Sequence, residues 1–391
     1  MESHDSSAND PLAAAIAEHA GPLLKGLMGH GGIARKEKYS FFERVFSYFE
    51  ITRPFLLTMA PPITGAGAIL ANGRMPHLLL VILGSAAACI ATAGIHTFND
   101  WWDRKRDLDA WPDRPIPTTR VHPALALAYS LILMAISVAV VWFAFNPLST
   151  TILCIALALG IAYTMFLRDV VGYLSLPFII ALFPLGGWAA FSPQTLFTSP
   201  IPWVLAVTAI IWQAAHIMVH SPSHPIRTKD GKLTTEKKAF FFYPTPARAA
   251  WMGFLFTLVM FVVSVVLFFL VDLGLFYLII ALPMGVVALL STVALVKDPT
   301  NKARSMGAFN IASMNLIFVF GAIIIDVFFR KSLQDYIVGG SNLLGALGRF
   351  FLYHLQGTSL LLYVAGAIVS VVVTFFAVLS LSKLLLKTIR N

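Results

Sequence analysis

The sequence predicts an all-helical, polytopic membrane protein, and three observations carry that expectation. Of 391 residues, 58% are hydrophobic and 12% are charged, roughly half the charge of a soluble globular chain, which is about 25%. The mean hydropathy is +0.79. The apolar residues fall in uninterrupted runs of about 20, the length that crosses a hydrocarbon core about 30 Å thick. Backbone groups in lipid must be satisfied within their own segment, so runs of this length are helices. The alternation over about ten residues that marks a membrane barrel is missing. These properties exclude a soluble enzyme, a disordered chain and a nucleic-acid module, although the formal charge is +9.

Ten apolar segments stand out, at roughly 55–73, 78–98, 122–145, 149–167, 172–192, 201–219, 249–271, 273–296, 308–328 and 358–384. They divide the chain into a polar arm (1–50), a helical bundle (51–328), an extramembrane loop (329–357) and an additional C-terminal transmembrane helix with its tail (358–391). The arm has no short apolar core followed by a cleavage site, so the first span is expected to direct insertion. Prolines 61, 62, 177, 184 and 283 fall inside spans and predict kinks, the freed carbonyls being satisfied by neighbouring helices. Cys89 and Cys154 both sit inside apolar runs, outside any metal-type spacing, and read as packing residues.

Lys and Arg set the orientation. With ten spans, 24 of the 28 basic residues fall before span one, after even-numbered spans, or in the tail. Arg74, Arg330, Lys331 and Arg349 are left on the other side. This bias places both termini and the long polar loops in the cytoplasm.

Of 19 acidic residues, five lie between Asp100 and Asp113 at the cytoplasmic end of span two. If that helix continues, Asn99, Asp103 and Asp107 share one face at a period of four, and Asp100 joins them by the i+3 and i+7 relations. Stacked carboxylates repel, and a cation between them removes that cost. Oxygen ligands of this kind suit Mg²⁺, which is held by one or two carboxylates together with substrate phosphates. The alternative is a solvated loop whose aspartates pair with Arg104, Lys105 and Arg106.

The segment Asn99-Asp100-x-x-Asp103-x-x-x-Asp107, followed by Arg114-Pro115-Ile116-Pro117, resembles the first signature of the UbiA superfamily of intramembrane prenyltransferases. Thr52-Arg53-Pro54-Phe55 is similar to the motif that opens the family's first span. Tyr163 to Arg168 resembles its Tyr-x-x-x-x-Lys/Arg element. The similarity covers about residues 50–328. It implies nine transmembrane helices around a cavity open to lipid, to which this chain adds a C-terminal helix. It also implies Mg²⁺-dependent ionisation of an isoprenyl diphosphate, whose carbocation alkylates a lipophilic acceptor, often an aromatic or polycyclic ring. The residue types suit that chemistry: metal and Arg/Lys neutralise a leaving diphosphate, and a dry chamber protects an allylic cation. Carried onto matching positions, Asn99, Asp100, Asp103 and Asp107 would hold metal, with the three aspartates catalytic. Arg53, Arg114, Tyr163 and Arg168 would contact diphosphate.

The family's second Asp-rich motif is replaced here by Trp212-Gln213-Ala-Ala-His216-Ile-Met-Val-His220-Ser-Pro-Ser-His224. Trp-Gln-x-x-His is similar to the heme O synthase branch of the superfamily. His216 and His220 are neighbours on one helix face, and Pro222 and Pro225 are expected to end the helix before His224. Three roles stay open for His216 and His220: hydrogen-bonding residues of an acceptor pocket, a base or cation acting on diphosphate or acceptor, or transition-metal ligands. The basic loop that follows, with Lys229 as its candidate diphosphate contact, would lie over the substrate or touch anionic lipid. Phe240 to Tyr243 reads as an interfacial anchor or a channel wall. Asp326, alone in span nine, is either functional or paired with Arg330. Two further functions compete on this scaffold: a terpene cyclase that ionises the donor without an acceptor, and a transport or non-catalytic membrane protein.

Overall fold

The computed structural model describes residues 38–228, 231–334 and 343–355, with Gly26 and Gly31 besides. Among them, eight helices are long and apolar enough to cross a membrane, and a bent pair supplies a ninth. The expected tenth span, 358–384, lies outside the described residues.

The bent pair is span one. Helices α1 (Phe41–Glu50) and α2 (Pro54–Leu57) meet α3 (Ala60–Asn72) at 47°. Ser40 caps α1 through a reciprocal bond with Glu43. Phe41, Phe42 and Val45 are exposed and share one face, while Glu50 at the helix end pairs with Arg120, both fully buried. Pro61 and Pro62 open α3 just past the bend, where an absent N–H leaves no bond unmade.

Span two is α4 (Leu78–Trp102), which runs past its expected end at 98. The α-helix then tightens into a 3₁₀ turn at Asp103–Lys105 before one short turn, α5 (Asp107–Ala110). The continuous helix assumed for the acidic cluster is therefore broken. A 3₁₀ turn has three residues instead of 3.6, so Asp107 leaves the face it would share with Asn99 and Asp103.

Spans three and four are α6 (Pro123–Ala144) and α7 (Pro147–Ala162). Each begins with a capping side chain, His122 or Asn146, followed by proline at the first helical position. A π turn at Tyr163–Leu167 carries span four into α8 (Arg168–Val170). Span five is divided into α9 (Leu176–Ile180) and α10 (Leu182–Phe191). The break falls between the expected kink prolines 177 and 184. Spans six to nine are α11 (Ile201–His220), α12 (Pro246–Leu270), α13 (Leu275–Lys297) and α14 (Lys302–Val327). Of the five span prolines, Pro283 sits inside a long helix.

Between spans six and seven, strands β1 (Pro225–Arg227) and β2 (Leu233–Thr235) form an antiparallel hairpin. The chain then runs as a strap against the end of span four. Lys238 Nζ donates to the Val170 carbonyl at 2.8 Å, and the Tyr173 amide donates to the Lys238 carbonyl at 2.8 Å. Gly172 permits this approach: it has φ +120°, and a Cβ there would lie 2.0 Å from the Ala239 carbonyl.

The core lies between spans one, six, seven, eight and nine, where Ile63, Leu205, Met260, Tyr277 and Phe320 pack together. Spans one and five touch backbone to backbone. A Cβ on Gly67 would meet the Pro184 carbonyl at 2.2 Å, and one on Gly187 the Thr64 carbonyl at 2.0 Å. Small residues at such seams let membrane helices approach closely. Large apolar side chains such as Phe143, Phe269 and Leu290 point outward, the arrangement lipid favours. The segment 329–357, expected as a loop, carries helix α15 (Leu343–Leu355), with Phe350 stacked edge-on to Phe328 at 5.1 Å.

Candidate active site

A cavity of about 760 Å³ opens among spans one to six and nine. Along most of its length the wall is apolar, with Ile63, Val81, Leu153, Phe183 and Ile324 among its side chains. Its other end is lined by charge: Arg53, Arg106, Arg114, Arg168, Lys237 and Lys302, with Glu236 beside Lys237. Asp100, Asp103 and Asp107 lie behind the arginines, buried at 6% exposure or less.

Each aspartate is paired. Arg168 forks onto Asp103, Nη1 to Oδ2 at 2.8 Å and Nη2 to Oδ1 at 2.9 Å. Arg106 and Asn99 add bonds to the same carboxylate, at 2.9 and 3.1 Å. The Asn99–Asp103 contact is the i, i+4 relation read from the sequence. Arg53 pairs with Asp100 and reaches the Asn99 side-chain oxygen at 3.3 Å. Arg114 donates to Asp107 at 2.7 Å and approaches Asp100 at 3.4 Å, so one guanidinium joins two carboxylates. The solvated-loop alternative holds for the Arg106–Asp103 pair but fails on solvation: Asp103 is buried, and its two-pronged partner Arg168 comes from the end of span four. Burial lifts Asp107 above the ordinary carboxylate value, helped by Asp100 and Asp103 and opposed by Arg114.

Arg53 holds a left-handed backbone conformation, φ 54°, directly before Pro54. Such a position costs about 1–3 kcal/mol in a residue other than glycine and persists where surrounding contacts fix it. The ion pair with Asp100 is one such contact.

Asp100 Oδ2 and Asp107 Oδ1 are buried with no hydrogen-bond partner. Two carboxylates joined through one arginine, each with its other oxygen orphaned and with Asn99 beside them, fit a hard divalent cation that keeps its remaining positions for water and phosphate. Asp103 has both oxygens engaged. Among the described residues no three His, Cys, Asp or Glu side chains converge as a metal-holding group, so a cation here would rest on two carboxylates, an amide oxygen and the substrate's own phosphates.

The histidines line the same cavity on the opposite side. His216 is buried between Phe309 and Trp212, at ring distances of 4.2 and 5.1 Å, with Nδ1 3.4 Å from the Ser313 hydroxyl. The helix ends at His220, and Ser221–Ser223 form a 3₁₀ turn, so Pro222 and Pro225 act as expected. His220 Nδ1 lies 2.6 Å from Lys237 Nζ, and its ring stacks on His224 at 5.1 Å. Burial, with Lys237 and Lys302 nearby, holds His224 below its ordinary value. Tyr163 lines the cavity, its ring 6.4 Å from Tyr173. Lys229 lies outside the described residues.

Three other expectations are settled by geometry. Phe241 and Tyr243 are exposed, and residues 240–243 are not in the cavity wall, so this run faces outward and does not form a channel. Asp326 accepts from the Gly274 amide at 2.8 Å and from Arg330 at 2.9 Å, tying the start of span eight to the end of span nine. Cys89 is half-buried with its thiol 3.5 Å from the Leu57 carbonyl, whereas Cys154 faces outward.

Sequence reasoning missed His96 and Lys302, and within the basic loop, which runs from Arg227 to Lys238, it singled out Lys229 and not Lys237. Thr92, His96 and Asn99 all reach the cavity, a spacing of four and three that could have placed His96 on the face of Asn99. Nothing in the basic run separates Lys237, which turns inward, from exposed Lys232.

Residues 59–317 match the UbiA prenyltransferase family model. The chain is 29% identical over 198 residues to the protoheme IX farnesyltransferase of Rhizobium leguminosarum bv. trifolii, covering 48% of this chain and 59% of that protein. It is 28% identical over 319 residues to the protoheme IX farnesyltransferase of a Cyanothece species, covering 74% and 89%. The first curated relatives are matched over 53–60% of their length, a little more than half. The fold is that of an apo UbiA homologue from Aeropyrum pernix, with a TM-score of 0.56 at 17% identity, covering 70% of this chain and 98% of that one. On a family match covering well over half its length, joined to this fold, the chain belongs to the UbiA prenyltransferase family.

Proposed function

We propose that this protein is an intramembrane prenyltransferase, ionising an isoprenyl diphosphate with the help of Mg²⁺ and transferring the prenyl group to an aromatic or polycyclic acceptor. The observation that carries this reading is the placement of three Asp–Arg pairs at the polar end of an otherwise apolar cavity. A prenyl diphosphate has the same polarity: an anionic head and a hydrocarbon chain. Arg53, Arg114 and Arg168 are the head's contacts, with Tyr163 beside them. Asp100 and Asp107, with Asn99, would hold the metal, and Asp103 fixes Arg168 and Asn99 in place. A bound Mg²⁺ would draw off charge from the leaving diphosphate oxygens.

In the reaction the allylic C–O bond breaks and its electron pair leaves with the diphosphate. The arginines balance that charge in a setting of low dielectric, where fixed cations act strongly. The apolar wall keeps water from the allylic cation until an acceptor carbon bonds to it and loses a proton. His216 and His220 face the cavity from the acceptor side of this arrangement, His216 as a hydrogen-bonding wall residue and His220 together with Lys237. The relatives' names make protoheme the first acceptor to test. The distribution of Lys and Arg supports a cytoplasmic location for the charged end and both termini.

Purified protein in nanodiscs, supplied with Mg²⁺, C10, C15 and C20 diphosphates and either protoheme or a lipid extract, should release diphosphate and give a prenylated product by mass spectrometry. Asp103→Ala should abolish release. Full release by that variant would sink the assignment, and hydrocarbon or alcohol formed from donor alone would assign a cyclase instead.

A further inference from the structure

Lys237 is the one inward-turned basic residue of the strap that has no carboxylate within 4.0 Å among the described residues. Its ammonium lies 2.6 Å from His220 Nδ1 and 5.5 Å above the Tyr173 ring. A charged lysine only donates, so Nδ1 of His220 accepts and the ring proton sits on Nε2. His220 therefore orients the ammonium without neutralising it. Lys302, on the far wall, also has no carboxylate within that distance, while His224 is held by Ser223 at 2.7 Å. The position of Lys237 is fixed by its neighbours: Lys238 is bonded to the carbonyls of Asp169 and Val170, and Ala239 packs on Gly172.

The arginines contrast with this. Arg53, Arg114 and Arg168 each have an aspartate partner. Tyr173 meets Lys237 on one side and Tyr163 on the other, so the tyrosine pair stands between the directly ion-paired arginines and Lys237, whose chain neighbour Glu236 also lines the cavity but lies beyond 4.0 Å of the ammonium. From this geometry we infer a second anion site in the cavity, formed by Lys237 with His220 and Lys302, which takes a carboxylate or phosphoryl group independently of the Asp–Arg pole. The inference deepens the prenyltransfer reading and rests on it for the ligand: the anionic group belongs either to the outer phosphate of the donor or to an acidic acceptor. Burial supports the assignment by lowering the Lys237 ammonium to about 8, since a bound anion relieves that penalty.

The test is a binding measurement on the full chain in nanodiscs with two probes. One is inorganic pyrophosphate. The other is iron-free protoporphyrin IX, a polycyclic diacid, compared with its dimethyl ester. Lys237→Met should weaken one acid-bearing probe by roughly tenfold or more, the loss expected for a charge-assisted bond, and Lys237→Arg should restore it. Weaker pyrophosphate binding assigns the site to the donor. Weaker binding of the diacid with unchanged ester binding assigns it to the acceptor. Wild-type affinity should also fall as pH rises past about 8, where the ammonium deprotonates, and that fall should vanish in Lys237→Arg. The groups facing Lys237 are His220, His224, Tyr173, Glu236 and Lys302. Equal affinities for wild type and Lys237→Met, or wild type that binds neither probe, overturns the proposal. Loss of pyrophosphate binding in a protein that ionises no prenyl donor would refute prenyl transfer and leave the anion site standing.

Discussion

Arg168 approaches Asp103 through two parallel N–H···O bonds of 2.8 and 2.9 Å, a planar fork that a lysine ammonium cannot reproduce. The pair is buried on both sides, so each bond acts in a weakly screened setting. Arg168→Lys keeps the charge and loses the fork. We expect kcat/KM for diphosphate release to fall roughly 10- to 100-fold, the equivalent of one charge-assisted hydrogen bond, with the melting temperature nearly unchanged. Steady-state kinetics beside a thermal melt checks this, and full activity in the variant would show that position alone is enough. Of this residue-scale picture, the sequence contained the identities but not the partners. Asn99 and Asp103 follow from a period of four. The sharing of Arg114 between Asp100 and Asp107 does not, because it depends on a loop folding back over seven residues.

Helices α3 and α10 meet where Gly67 and Gly187 leave the two backbones in contact. Gly187→Ala places a methyl group 2.0 Å from the Thr64 carbonyl, which forces the helices apart. Overpacking of this kind costs about 1–3 kcal/mol, and the same two helices line the cavity. The expected result is a lower melting temperature together with altered prenyl-length preference; an unchanged melt would show that the seam opens freely. Elements were more legible than contacts. Spans three to nine sit within a few residues of their apolar runs, because a helix in lipid must satisfy its own backbone. Errors arose where polarity carried structure: α4 continues into the polar Asn99–Trp102 turn, and the supposed loop before 357 holds α15. Hydropathy does not register an amphipathic helix as a span.

At the scale of the molecule, charge and topology are one question. Lys232 lies in the β1–β2 hairpin between α11 and α12, and Asp272 lies in the turn between α12 and α13, at the other end of α12. In a chain with Cys89 and Cys154 replaced by alanine, Lys232→Cys should react with an impermeant maleimide from the cytoplasmic side and Asp272→Cys from the opposite side. Labelling of both from one side would overturn the proposed orientation.

The gradient along the cavity, from arginine to hydrocarbon within one continuous space, matches any single-chain amphiphile and not the donor alone. A detergent monomer with an anionic or zwitterionic head meets the same description and competes for the same volume. Extraction in such detergents would therefore depress turnover through occupancy rather than denaturation, and dilution into lipid should restore it. Sugar-headed detergents, which offer the arginines no anion, are the better choice for handling this protein.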